Sequence, residues 1–99
     1  MITVGRKIRY LRQQHHMTQM ELGLALGFSK STADIRIAQY ESGARAPKTQ
    51  LLHQIASVLK VDPIILTVDI PETEDEWRVV WYWVKHFAFD HHENESGQK

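Results

Sequence analysis

The side chains most suited to recognition chemistry cluster between positions 19 and 48. The amide of Gln39 can pair bidentately with an adenine edge, and Ile35 or Ala38 can touch a thymine methyl. Arg36 can reach a guanine edge or a phosphate. Thr32 adds a hydroxyl that suits either kind of partner. Gln19 stands at the start of one expected helix, while Arg45 and Lys48 flank the start of another, where backbone amides favour an anion. These types suit a polyanion whose edges can be read.

Other groupings promise less. His15-His16 and His91-His92 are adjacent pairs, which do not share a helix face, and no third ligand follows at a fixed spacing. The chain has no cysteine, so neither a disulfide scaffold nor a thiolate zinc site can form. Glu74-Asp75-Glu76 fits the first turn of a helix better than a general acid/base pair. No Ser/His/Asp or Cys/His arrangement suggests catalysis, and the reading is a non-enzyme that needs no metal, cofactor or small-molecule ligand.

Charge supports a polyanion partner only when the chain is divided. Overall it is neutral, with 12 Lys/Arg against 12 Asp/Glu. Residues 1–60 hold nine Lys/Arg and three acids, a difference of +6. Residues 61–99 hold three and nine, a difference of −6. A basic first part joined to an acidic second part is the footprint expected of one polyanion-binding face. No apolar run approaches the ~20 residues that cross a bilayer. The N-terminal residues lack the apolar stretch of a signal peptide. The expectation is therefore a soluble, cytoplasmic protein.

Helices must position these side chains. Val4, Ile8 and Leu11 recur at i, i+4, i+7, so the spacing predicts a helix over 3–15. Thr18-Gln19-Met20-Glu21 has capping-box form, and Leu22 and Leu26 follow on one face up to Gly27. Ser31-Thr32-Ala33-Asp34 suggests a third helix starting near Thr32, with Ala33, Ile37 and Tyr40 inward and Gly43 as its stop. Thr32, Ile35, Ala38 and Gln39 then point outward, with Arg36 to one side. Pro47 opens a fourth helix, roughly 48–59, with Leu51, Leu52, Ile55, Ala56 and Leu59 inward. Asp62-Pro63 opens a short fifth over about 63–68. The spacing of Gln19, Gly23, Gly27 and Ile37–Glu41 is a helix-turn-helix pattern. A small residue at 23 lets two helices cross closely, and Gly27 permits the turn.

These residues carry a resemblance. Gly5-x-x-Ile8-x-x-Leu11-Arg12, Thr18-Gln19-x-x-Leu22, Leu26-Gly27-Phe28-Ser29, Ile37-x-x-Tyr40-Glu41-x-Gly43-x-Arg45-x-Pro47 and Leu51-x-x-Ile55-Ala56-x-x-Leu59-x-Val61 resemble the Cro/phage-repressor, or xenobiotic-response-element, family over residues 4–68. The resemblance implies a five-helix bundle, usually dimeric, that binds operator DNA and often represses transcription. Gln19 matches the family glutamine that binds phosphate and helps place its neighbours. There is one departure. In the family the Ile follows the Ser of the Leu-Gly-x-Ser motif by about one helical turn of ~3.6 residues. Here Ser29 and Ile37 lie eight apart. The extra residues either lengthen the recognition helix or enlarge the turn before it, and the Ser31 signal favours the turn.

Residues 73–89 form a further expected helix outside the resemblance. Trp77, Trp81 and Val84 make one stripe, and Val80, Trp83 and Phe87 add apolar surface beside it. One small bundle leaves part of that surface wet, so a homodimer contact is expected, through Trp77, Val80, Trp81, Val84 and Phe87. Residues 90–99 read as a frayed tail.

The whole is an all-α protein. Residues 1–70 are expected to form a repressor-like helix-turn-helix DNA-binding bundle, and 71–99 a C-terminal amphipathic helix and acidic tail for self-association. The expected function is a transcriptional regulator, most simply a repressor, with its third helix in the major groove of a palindromic operator. Two rivals stand beside it: the antitoxin of a toxin–antitoxin pair, and a protein–protein adaptor that uses this fold without DNA.

Overall fold

The computed structural model describes residues 2–67, which form five helices in the order the sequence predicts. Helix α1 spans Val4–Gln14, α2 Gln19–Ala25, α3 Ala33–Ser42, α4 Thr49–Val58 and α5 Ile64–Thr67. The fold class is all-α. The expected helix over 73–89 lies outside the described residues.

Local chemistry sets most boundaries. Thr3 caps α1, its hydroxyl accepting the Arg6 N–H at 3.2 Å. The capping box of α2 is complete: the Thr18 hydroxyl accepts from the Glu21 N–H at 3.0 Å, and Glu21 Oε1 accepts from the Thr18 N–H at 2.8 Å. Gly27 ends α2 in the left-handed region at φ +91. There the Phe28 N–H returns to the Gly23 carbonyl at 3.0 Å and the Gly27 N–H to the Leu24 carbonyl at 3.0 Å. The same pair of bonds closes α4, with Lys60 at φ +60 in the glycine's place. Asp62 opens α5 by accepting the Ile64 N–H at 3.0 Å.

The start of α3 differs from its sequence signal. Thr32 precedes the helix but its side chain makes no capping bond. Asp34 Oδ1 accepts the adjacent Ile35 N–H at 2.8 Å instead of reaching back towards Ser31. The Ser29 carbonyl takes the Thr32 and Ala33 N–H groups, at 3.1 and 2.9 Å, so one loose helical turn precedes α3. Thr32, at φ −126, separates that turn from the helix. The extra residues thus enlarge the connection, and α3 keeps ten residues.

The helices close over Ile8, Leu11, Leu22, Ile37, Tyr40, Ile55, Ala56, Leu59, Val61, Ile65 and Leu66, all buried. Val4, Leu26, Leu51 and Leu52, expected inward, are half-buried against this core. Two glycines decide how closely α3 is approached. A Cβ at Gly5 would collide with the carbonyl oxygens of Tyr40 and Glu41, and one at Gly23 would lie 2.6 Å from the Ala33 Cβ. Only glycine lets α1 and α2 lie that near α3. Lys7 is also buried, at 2% exposure, which its charge does not foretell.

Candidate nucleic-acid interface

Helix α3 is fixed from behind by a buried carboxylate. The Glu41 side chain is 5% exposed and that of Arg12 is 11% exposed. Arg12 donates from Nε to Glu41 Oε2 at 2.6 Å and from Nη2 to Oε1 at 3.1 Å, a bidentate pair. Arg12 Nη1 also donates to the Met17 carbonyl at 2.8 Å. Gln19 Nε2 donates to Glu41 Oε1 at 3.1 Å. One carboxylate therefore ties α1, the start of α2 and the end of α3 together. Gln19, singled out in the sequence for phosphate, is half-buried and spends an amide hydrogen on this network.

Outside this network stand Ile35 of α3 and Thr32, the residue before the helix. Both are exposed, Ile35 to 56%, an unusual place for a large apolar side chain. The Thr32 hydroxyl lies 2.9 Å from the Ser29 hydroxyl, which in turn lies 3.2 Å from that of Ser31. Ala38 and Gln39 are half-buried. The Gln39 carbonyl accepts the Arg45 N–H at 3.2 Å and so ties the loop after α3 to the helix.

Arg36 lies to one side, as the wheel predicts, but its surroundings are not legible in the sequence. Its guanidinium carbon sits 4.0 Å from the Phe28 ring centroid and 5.9 Å from that of Tyr40. Nη2 donates to the Tyr40 hydroxyl at 2.9 Å. A guanidinium this close over a ring is a placement that favours arginine over lysine. Arg36, Arg45 and Lys48 line one cleft of about 570 Å³ together with Phe28, Tyr40, Leu51 and Gln54. Among the described residues, no acid lines it. Lys48 is the residue before α4; its side chain does not cap the helix, and the first turn of α4 holds no acid. A helix start of this kind attracts an anion through its free amides and its dipole.

The structure therefore brings Arg36, Arg45 and Lys48 to one cleft beside the exposed face that carries Thr32 and Ile35. Gln19 belongs to the network behind. Sequence reasoning missed the Arg12–Glu41 pair, the Phe28 ring beneath Arg36, and Gln54. A faint signal existed for the first: Arg12 and Glu41 each directly follow a core position, Leu11 and Tyr40. Nothing in the spacing marks Phe28 as an arginine's stacking partner. Among the described residues, no group of three or more His, Cys, Asp or Glu could hold a metal. His15 is occupied otherwise, its Nε2 lying 2.6 Å from the Leu59 carbonyl. No described helix is long and apolar enough to cross a membrane.

Comparison with known proteins agrees with this geometry. The chain is 34% identical over 71 residues to an uncharacterized HTH-type transcriptional regulator, y4aM, of Sinorhizobium fredii. That match covers 72% of this chain and 47% of the relative, so the chain spans about half the length of the curated protein it matches. The helix-turn-helix family model matches residues 8–66, from the second turn of α1 into α5. By that match and by the α2–α3 arrangement it covers, the chain belongs to the helix-turn-helix family.

Proposed function

We propose that this chain is a sequence-specific DNA-binding transcriptional regulator that acts as a repressor, with α3 in the major groove. One observation carries the reading. An exposed face of α3, with Ile35 and Thr32 outward, lies beside a cleft lined by three cations and no described acid. A groove offers base edges to the first and phosphates to the second. The relative's name, a transcriptional regulator, points the same way. In this reading Ile35, Thr32 and Gln39 face the bases, while Arg45 and Lys48 take backbone phosphates.

The reading extends to assembly. Residues 71–99 act as a self-association element, joining two copies through Trp77, Val80, Trp81, Val84 and Phe87, which lie outside the described residues. A two-fold pair sets its recognition helices about 34 Å apart, the spacing of a palindromic operator.

The test is selection of bound duplexes from a random pool by the full chain. Enrichment of a palindromic site is the expected result. Absence of any salt-dependent duplex binding overturns the reading and leaves a protein–protein adaptor.

A further inference from the structure

We propose that the acidic segment 69–76 docks on helix α1 of its own chain, with one carboxylate meeting the buried Lys7 ammonium and others lying against Arg6 and Arg9. The proposal is independent of the DNA-binding reading and concerns a face of α1 turned away from α3.

Lys7 is the anomaly that leads to it. Val4, Lys7, Ile8 and Leu11 recur at i, i+3, i+4, i+7, so a lysine holds one position of the stripe that α1 turns inward. It is 2% exposed. A charge so far withdrawn from water is costly unless an opposite charge meets it. The acids of the described residues have tasks elsewhere. Glu21 closes the capping box of α2, and Asp34 accepts the Ile35 N–H. Glu41 takes Arg12 and Gln19, and Asp62 opens α5. The ammonium therefore calls for a carboxylate from further along the chain. An anion from outside does not reach a side chain this enclosed, whereas one from the same chain is laid down as the protein folds.

The rest of α1 asks for the same partner. The helix carries Arg6, Lys7, Arg9 and Arg12 and no acid. Arg6 and Lys7 stand near its start, where the helix dipole disfavours a cation. Arg6 and Arg9, three residues apart, are like charges on one face. With Tyr10 and Gln13 they line one groove of about 430 Å³. Tyr10 is half-buried there, and burial pushes its phenol up.

Direction and reach identify the occupant. Gly5 is pressed against the Tyr40 and Glu41 carbonyls of α3. Lys7 follows two residues later, roughly 200° round the helix, and so points away from α3. Helix α5 packs on α1, Ile65 and Leu66 sharing the core with Ile8 and Leu11. The chain leaves α5 after Thr67, and Asp69, Glu72, Glu74, Asp75 and Glu76 follow before any Lys or Arg. At up to ~3.5 Å per residue, the stretch from 67 to 76 can extend ~30 Å, about twice the length of α1.

Two measurements on the full chain test this. In the first, the native protein is reductively methylated with formaldehyde, and mass spectrometry follows each lysine. Lys7 of the parent should react at least about tenfold more slowly than Lys30, Lys48 and Lys60, which are exposed. The combined variant Asp69→Asn, Glu72→Gln, Glu74→Gln, Asp75→Asn and Glu76→Gln should speed Lys7 several-fold, leave the three reference lysines unchanged and keep the amide shifts of Ile37 and Tyr40. An unchanged Lys7 rate with those shifts kept overturns the proposal. In the second, which needs no variant, a carbodiimide joins amines to touching carboxylates in a mixture of 15N-labelled and unlabelled parent protein. The expected product links Lys7 Nζ to a side-chain carboxyl of 69–76 within one copy. A link from Lys7 to any other acid, a link between labelled and unlabelled copies, or no link at Lys7 overturns the docking.

Discussion

Two cationic regions lie on opposite sides of the same helix in their bonding, and they are built to different ends. Behind α3, Arg12 meets Glu41 at 2.6 Å with both side chains largely withdrawn from water. At the α3–α4 cleft, Arg36, Arg45 and Lys48 gather with no described acid among the lining residues. In the first region the charge is cancelled, and the result is a fixed crossing of three helices. In the second it is left standing. Withdrawing Arg12 and Glu41 from water, or part of Arg36 with no described carboxylate beside it, is costly unless it has a use. The first secures geometry, and the second leaves attraction for an anion from outside. A protein that needs its recognition helix rigid and its flank adhesive has to separate these tasks.

Removing Glu41 breaks the comparison most severely. Glu41→Ala strands the Arg12 guanidinium and takes away the Gln19 acceptor, and loss of one partner of such a buried pair costs about 3–5 kcal/mol. Urea denaturation should register that loss even where no DNA is present. A change below about 1 kcal/mol, the range of exposed pairs, would show that Glu41 is a surface acid in solution.

Gln39→Ala is expected to cost specificity instead of stability. The side chain is half-buried at the edge of the exposed α3 face, and its helix is held by other bonds. Preference for the selected site over random duplex should drop by about 1–3 kcal/mol, the worth of a bidentate base contact. Competition binding measures it. Equal weakening on both duplexes would remove Gln39 from base reading and place it with the phosphate contacts.

The contrast also explains what a sequence can and cannot disclose. Helix existence follows from local devices: the Thr18–Glu21 box, Gly27 in the left-handed region and the i, i+4, i+7 recurrence of Ala33, Ile37 and Tyr40 are read directly and appear as read. The start of α3 falls near Thr32 as read, but its side-chain cap is not made, because the Ser29 hydroxyl lies within bonding distance of both the Ser31 and the Thr32 hydroxyls. The candidate site is legible by residue type, since Arg36, Arg45 and Lys48 all stand out as cations near a helix start. Its grouping is not, because it depends on the fold bringing Phe28, from the turn before α3, to the same cleft as Arg36 and the start of α4. Gln19 shows the converse. Its type and place suit a phosphate, while the bond that its Nε2 donates to Glu41, remote in sequence, is marked by no spacing.

The smallest effect on the fold, and the sharpest test of the contrast, belongs to Arg45 and Lys48. Both are exposed, and no described acid lines the cleft they share. Arg45→Ala and Lys48→Ala should therefore leave unfolding free energy within about 0.5 kcal/mol of the parent, as surface changes do. Binding should respond quite differently. Each lost phosphate contact releases about 0.9 fewer counterions, so each variant should flatten the log K against log salt slope by that amount. The loss should be the same on selected and random duplexes, because a phosphate carries no base identity. Combining both substitutions should roughly double the flattening if the two cations meet separate phosphates. A single phosphate shared between them gives less than the sum, since the second cation then acts on a contact already weakened. Fluorescence anisotropy across a salt series reads both slopes. Destabilisation of either variant beyond about 1 kcal/mol with an unchanged slope would make the cleft a second structural region like that around Glu41, and the distinction between the two sides of α3 would fall.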